Sequence, residues 1–104
     1  MVVADLDIEA VKAGLADGSI LLVDVREPHE FAGGHIPGSV SMPLSQFEPT
    51  RLPQEEGRRV VFSCAAGVRS LRAIEFARAA GLTVDSHYLG GFRDWVFQGE
   101  PVAR

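Results

Sequence analysis

The sequence VVFSCAAGVRS, residues 60–70, decides the fold of this chain. It opens with three apolar residues, two of them β-branched, which is typical of a buried strand. A small-residue loop follows, and an amphipathic helical pattern begins at about Arg69 or Ser70 and continues to Ala80. A strand that passes through a tight loop into a helix is typical of a parallel α/β sheet. The only cysteine of the chain, Cys64, stands where the predicted strand ends.

The same alternation of strand and helix recurs on both sides of this segment. The spacing of apolar residues predicts helices over residues 7–16 and 28–33, and a last helix that contains Phe92, Trp95 and Val96. Strands are predicted at residues 20–23, briefly at 40–42, and between Thr83 and Leu89. This order predicts one domain over residues 1–104, an α/β sandwich whose mainly parallel sheet is flanked by helices.

The helix that follows Cys64 has a predicted inner and outer face. Leu71, Ile74 and Ala77, together with Phe76, are expected to face the core. The charged residues at positions 72, 75 and 78 are expected to face solvent, where their spacing suits helical ion pairs.

Composition excludes several classes of function. The chain has 104 residues, 46% apolar and 23% charged, with a formal net charge of -4. The mild negative charge argues against nucleic acid or an anionic membrane as the main partner. One cysteine excludes an internal disulfide and a multi-cysteine metal site. The acidic start and the lack of an apolar stretch of ~20 residues indicate neither a secretory signal nor a membrane span. We therefore expect a cytoplasmic location.

Cys64 has surroundings that favour a reactive thiolate. Gly67 allows a close backbone turn, and Ala65 and Ala66 place no bulk over the sulfur. Loop amides that point inward, with the positive charge of Arg69 nearby, would lower the pKa of the thiol. The alternative is that Cys64 is a small buried apolar residue, the common role of a free cysteine.

Four segments of the chain resemble the rhodanese-like sulfurtransferase family. Residues 64–70, CAAGVRS, look like the family's active-site loop, and residues 89–92, LGGF, look like its C-terminal signature. Residues 24–31 and 34–39 are similar to its first signature. The resemblance runs from Leu21 to Val102 and implies the rhodanese fold in its single-domain form, a three-layer sandwich.

The resemblance implies sulfur transfer through a persulfide on Cys64, with Arg69 as a second catalytic residue. It implies that Ala65, Ala66, Gly67, Val68 and Ser70 bind the substrate anion, and that no metal or organic cofactor is needed. The expected partners are a small sulfur donor such as thiosulfate, a cyanide or thiol acceptor, and a sulfur-relay protein. Because Ala65 and Ala66 carry no charge, a polysulfide or a carrier persulfide stays open as the donor.

Three other functions are alternatives to sulfur transfer. A non-catalytic binding module would keep the fold, but such modules usually lose the cysteine. A cysteine phosphatase or arsenate reductase would use a wider C-x5-R loop, whereas four residues separate Cys64 from Arg69 here. A cysteine–histidine hydrolase would need a histidine beside Cys64 and an orienting group, and the chain has no asparagine.

For several polar residues the sequence allows either a structural role or a chemical role. Asp24, Arg26 and Glu27 lie at the end of a buried strand, and we expect them to form an ion-pair network that fixes the strand end near the loop. Arg69 is expected to bind the anionic donor and to brace the loop. His35 is expected to hold a turn, while His29 and His87 belong to no motif.

Overall fold

Five strands form one parallel sheet in the computed structural model, which describes residues 2–53 and 55–104. The strands are β1 (Ala4–Leu6), β2 (Ile20–Asp24), β3 (Val40–Ser41), β4 (Arg59–Ser63) and β5 (Ser86–Tyr88). Their order in space is β1-β5-β4-β2-β3, and each neighbouring pair runs parallel. The carboxyl ends of all five strands therefore lie along one edge of the sheet.

Four α-helices connect or follow the strands. They are α1 (Ile8–Asp17), α2 (Pro28–Gly33), α3 (Arg69–Ala79) and α4 (Gly91–Phe97). The α1 helix begins where the Asp7 side chain accepts a hydrogen bond of 2.9 Å from the Ala10 amide, and it ends at Gly18. Two short 3-10 helices, Leu44–Gln46 and Pro49–Arg51, connect β3 to β4.

The core lies on both faces of the sheet, because alternate side chains of a strand point to opposite sides. One face packs the strand residues Leu21, Val23 and Phe62 against Ala73 and Ile74 of α3. The other face packs Ile20, Leu22 and Val61 against Val11 of α1 and Trp95 of α4. Helices thus cover both faces, which confirms the predicted α/β sandwich. All five named strands run parallel, whereas a mainly parallel sheet was predicted.

Most of the predicted elements are confirmed, with two corrections. The strand β1, a three-residue edge strand that pairs with β5, was not predicted. On α3, Ile74 and Ala77 face the core as predicted, whereas the prediction was wrong for Leu71, which is 37% exposed, and for Phe76, which is 43% exposed. The buried stripe is Ser70, Ala73, Ile74 and Ala77, whose spacing is that of one helix face.

Candidate active site

The loop between β4 and α3 holds Cys64 at the carboxyl edge of the sheet. Cys64 is 1% exposed, so its sulfur lies at the floor of the loop. Gly67 has a φ of +81°, and a side chain there would collide with the backbone carbonyl of Leu89. The loop of residues 64–68 therefore requires glycine at this position.

The amino end of α4 fixes this loop from the other side. The amide of Phe92 donates to the Cys64 carbonyl at 2.8 Å, and the amide of Arg93 donates to the Ala65 carbonyl at 3.0 Å. Gly91 has a φ of +65°, and a Cβ there would lie 2.6 Å from the Cys64 carbonyl oxygen. The Gly90-Gly91 pair predicted to turn into the last helix thus also lets that helix approach the cysteine.

Ser70, the second residue of α3, contacts the sulfur twice. Its amide donates to the Cys64 Sγ at 3.3 Å, and its Oγ lies 3.5 Å from the same sulfur. Burial by itself raises the pKa of the thiol. Hydrogen bonds from the Ser70 hydroxyl and amide, and from the amides of Ala66 and Gly67, outweigh burial, so the pKa lies below its usual value. The loop therefore stabilises a negative charge on sulfur.

Arg69 forms a two-pronged ion pair with Glu30 of α2. Its two terminal nitrogens donate to the two carboxylate oxygens at 2.7 and 3.0 Å. The Arg69 guanidinium holds the pKa of Glu30 at about 2. Glu30 was not predicted as a site residue, although it lies within residues 24–31, the segment that is similar to the family's first signature.

Asp24 and Arg26 form a buried ion pair beside the loop. The guanidinium of Arg26 donates to the Asp24 carboxylate at 2.8 and 3.1 Å and to the Gly34 carbonyl at 2.8 Å. It also lies over the Phe92 ring, 4.3 Å from the ring centroid. The pair therefore connects the end of β2 to the end of α2 and to α4, next to the loop but without contact to the sulfur.

The remaining loop residues lie around the mouth of the site. Val68 is 74% exposed, whereas Gly67 is buried and Ala66 is exposed. The apolar Val68 side chain and Ala66 are therefore the most exposed parts of the loop after the cysteine.

The histidines differ in their distance from the site. The His35 Nδ1 lies 2.9 Å from the Phe31 carbonyl oxygen, and its ring stacks on that of Phe31, which fits the predicted turn. His87, which no motif singled out, is fully buried and lies 2.7 Å from the Ser70 Oγ through its Nδ1. Its Nε2 lies 2.8 Å from the Asp5 carboxylate. No histidine in residues 2–53 or 55–104 bonds the cysteine directly.

Two further features of the structure concern metals and membranes. Within the part of the chain that the structure describes, no three His, Cys, Asp or Glu side chains gather as metal ligands would. Every helix described there is too short or too polar to cross a bilayer.

Comparison with known proteins points to one family. A family model described as Rhodanese-like domain matches residues 7–98. The chain is 36% identical over 96 residues to the human thiosulfate:glutathione sulfurtransferase, covering 79% of this chain and 84% of the relative. It is 42% identical over 86 residues to an uncharacterised Synechocystis protein, slr1261, which covers 83% of this chain. The chain spans about half, 48%, of that longer relative.

The fold is also similar to that of a solved structure. The human single-domain sulfurtransferase TSTD1 superposes with a TM-score of 0.76 and 32% identity. The superposition covers 90% of this chain and 96% of the human one. Similarity therefore extends over the sheet, the helices and the cysteine loop together.

Proposed function

Since the chain belongs to the rhodanese-like domain family, we propose that it is a sulfurtransferase that carries sulfur on Cys64. The observation that supports this most directly is the set of hydrogen bonds on the buried sulfur, from the amide and hydroxyl of Ser70 and from loop amides. These donors stabilise an anion of one or two sulfur atoms at the floor of the loop.

The proposed reaction has two displacements. The Cys64 thiolate attacks the outer sulfur of a donor such as thiosulfate, the new S–S bond forms, and sulfite leaves with the electron pair of the broken bond. A thiolate or cyanide then attacks the terminal sulfur of the persulfide. The S–S bond to Cys64 breaks, its electron pair returns to Cys64, and the acceptor leaves as a persulfide or as thiocyanate.

In the proposed reaction, the positive charge of Arg69 is partly neutralised. Its bidentate pair with Glu30 reduces the positive charge that it offers to an anionic donor. We propose that it chiefly fixes the start of α3 against α2, and thereby holds Ser70 on the sulfur. A donor with less negative charge than thiosulfate, such as a polysulfide or a carrier protein persulfide, fits a loop that contains two alanines.

The human relative's name suggests a class of acceptor. That protein is named for transfer between thiosulfate and glutathione. By analogy we propose a low-molecular-weight thiol, or a thiol on a sulfur-relay protein, as the acceptor here. We propose the cytoplasm as the place of the reaction, because its reducing conditions keep a lone cysteine free.

Mass spectrometry of the intact protein tests this function. After incubation with thiosulfate or polysulfide, we expect a gain of one sulfur atom, which cyanide or glutathione then removes as thiocyanate or glutathione persulfide. Cys64→Ser is the matched control, since it keeps the size of the side chain and replaces the thiol by a hydroxyl, and it should gain no sulfur. No gain with either donor would overturn the proposal.

The same preparation tests the phosphatase alternative. Hydrolysis of an aryl phosphate that disappears in Cys64→Ser, without any sulfur gain, would assign the loop to phosphoryl transfer instead. We expect no hydrolysis, because a loop with four residues between Cys64 and Arg69 is one residue shorter than a C-x5-R loop.

A further inference from the structure

The hydrogen-bond chain that begins at the Cys64 sulfur continues beyond Ser70. The Ser70 Oγ lies 3.5 Å from the sulfur and 2.7 Å from the His87 Nδ1. The His87 Nε2 lies 2.8 Å from the Asp5 Oδ1. Ser70 and His87 are fully buried, whereas the Asp5 side chain is 55% exposed. A buried sulfur is thus connected to the protein surface through one hydroxyl and one imidazole.

The register of the sheet produces this chain. Asp5 of β1 and Phe62 of β4 are the direct neighbours of His87 in β5. Residues directly opposite each other in paired strands point to the same face. Cys64 follows Phe62 by two residues and lies in the same core face, where α3 brings Ser70 against it. Three strands and one helix therefore align four polar side chains in one row.

The hydrogen-bond donors and acceptors of this chain allow only two arrangements in which every group has a partner. The Asp5 carboxylate can only accept, so the His87 Nε2 carries a hydrogen. In the first arrangement the thiol donates to Ser70, and the Ser70 hydroxyl donates to an unprotonated Nδ1. In the second, the thiolate accepts from the Ser70 hydroxyl, and a protonated Nδ1 donates to the Ser70 Oγ.

We propose that Asp5, His87 and Ser70 form a proton relay that takes the thiol proton of Cys64 and holds it on His87 while the sulfur is anionic. This proposal rests on the proposed function only in assigning the anionic sulfur a catalytic use. The S–H proton passes to the Ser70 oxygen while the hydroxyl proton passes to the His87 Nδ1, and no bond between heavy atoms changes. Asp5 and His87 are positioning residues, since they act through Ser70.

The other charged groups near the sulfur do not replace the relay. Arg69 is paired with Glu30, and Arg26 is paired with Asp24. Asp5 is the one charged group that bonds the His87 ring among the described residues, and Ser70 bonds its other nitrogen. Protonated His87 thus supplies a positive charge one hydroxyl away from the sulfur, with a carboxylate behind it.

The outer end of the relay opens to solvent, because the Asp5 side chain is 55% exposed. Asp5 lines a cavity of about 350 Å³ together with Leu6, Tyr88 and Leu89. Protons can therefore exchange with water through Asp5.

The rate of Cys64 alkylation by iodoacetamide, measured from pH 4 to pH 10, tests the relay without any sulfur donor. For Asp5→Asn, which keeps shape and the bond to Nε2, we expect the apparent pKa of Cys64 to rise and the rate at neutral pH to fall about tenfold, the equivalent of one pKa unit. The plateau at high pH, where every sulfur is a thiolate, should be unchanged. Glu9→Gln, which removes one exposed carboxylate of α1, is the control for net charge and should keep the wild-type profile.

His87→Asn tests the proton acceptor itself, because its amide reaches Ser70 but takes no proton. We expect the same shift in the profile or a larger one, and Asp5→Asn serves alone if this buried variant does not fold. The nitrogen-15 spectrum of His87 gives a second readout: the hydrogen on Nδ1 should follow the charge of the sulfur, so the ring signals should differ between the wild type and Cys64→Ser.

Two results would overturn the relay: profiles of Asp5→Asn that match the wild type, or a His87 ring in the same protonation state with and without the Cys64 thiol. Sulfur loading is measured separately by mass, so a failed relay and a failed sulfurtransferase are distinguished. A shifted alkylation profile in a protein that never gains sulfur would support the relay and refute the transfer reaction.

Discussion

At the scale of single residues, Ser70 governs the reactive sulfur more directly than Arg69 does. Its amide and its hydroxyl both reach the Cys64 Sγ, whereas the Arg69 guanidinium is bound to Glu30. Two short-range dipoles on a buried sulfur stabilise an anion more than a paired cation does.

Removal of the Ser70 hydroxyl should make the cysteine less acidic. In Ser70→Ala we expect the pKa of Cys64 to rise and alkylation at neutral pH to slow about tenfold, because the hydrogen bond that favours the thiolate is lost. Thiolate absorbance measured against pH checks this shift. Ser39→Ala, which removes a hydroxyl that donates to the Ile36 carbonyl, should keep the wild-type titration. An unchanged titration in Ser70→Ala would contradict this account.

The sequence alone predicted the cysteine but not its deeper partners. Cys64, Gly67 and Ser70 are adjacent in the chain, so one local motif indicates all of them. His87 and Asp5 are 82 residues apart in the sequence and meet only through the register of β1 and β5. A lone histidine in a short buried strand has no periodic signal, so its role required the structure.

At the scale of elements, the Glu30–Arg69 pair attaches α2 to the start of α3. Both side chains are partly exposed, 27% for Glu30 and 35% for Arg69, so solvent screens part of their attraction. The two-pronged geometry still fixes the direction in which α3 leaves the loop. The pair therefore contributes to the position of Ser70 as well as to stability.

Glu30→Gln should lower the free energy of unfolding by about 1 kcal/mol at pH 7, after allowance for solvent screening. The pKa of Glu30 is depressed to about 2 in the folded protein, so its contribution is present above its ordinary pKa. It decreases as the pH falls from about 4.5 towards 2, because the unfolded chain then binds a proton that the folded chain does not. Urea unfolding at pH 7 and pH 3 measures this difference, which should be smaller at pH 3.

The Arg58–Glu55 pair provides the matched control. Its carboxylate is 51% exposed, and the partners are three residues apart in the chain. Glu55→Gln should change the free energy of unfolding by less than about 0.5 kcal/mol. Equal losses in the two variants would mean that the Glu30 pair is an ordinary surface contact.

The contact of α4 with the cysteine loop gives a second prediction at this scale. Gly91→Ala should lower the free energy of unfolding by about 3 kcal/mol, because a Cβ 2.6 Å from the Cys64 carbonyl adds a steric clash to an unfavourable positive φ. Gly99→Ala is the matched control: its φ is +78° and no atom lies within 4 Å of the added carbon. Gly99→Ala should lower the free energy of unfolding by about 1 kcal/mol. Equal losses in the two variants, measured by thermal unfolding, would contradict the predicted clash.

The element predictions failed where tertiary contacts outweigh local pattern. Leu71 was predicted to face the core in place of Ser70 because leucine is more apolar than serine, whereas Ile74 and Ala77 face the core as predicted. In the structure Ser70 faces inward, since its hydroxyl is satisfied by the sulfur and by His87. The edge strand β1 has only three residues, too few for a visible alternation.

At the scale of the whole molecule, one sheet is shared by two cores, and we propose that the chain unfolds as one domain. Trp95 lies in the core with α1 and α4, while Ile74 lies in the core with α3. Strands β2 and β4 contribute side chains to both. Loss of one core should therefore destabilise the other.

Ile74→Ala tests this coupling. Ile74 is fully buried, so its truncation should cost about 2–5 kcal/mol. Although Trp95 lies on the opposite face, its fluorescence transition in urea should move to lower concentration together with the far-ultraviolet circular dichroism. A circular dichroism change without a shift in the Trp95 transition would reveal two independent units.

The burial of a lone thiol under its loop also affects how the protein meets oxidants. With Cys64 1% exposed, two copies cannot bring their sulfur atoms together, so a disulfide-linked dimer is disfavoured. A small oxidant such as hydrogen peroxide attacks a low-pKa thiolate and gives a sulfenic acid. The chain contains no second cysteine to reduce that acid internally. Recovery from such damage therefore depends on a thiol small enough to enter the loop.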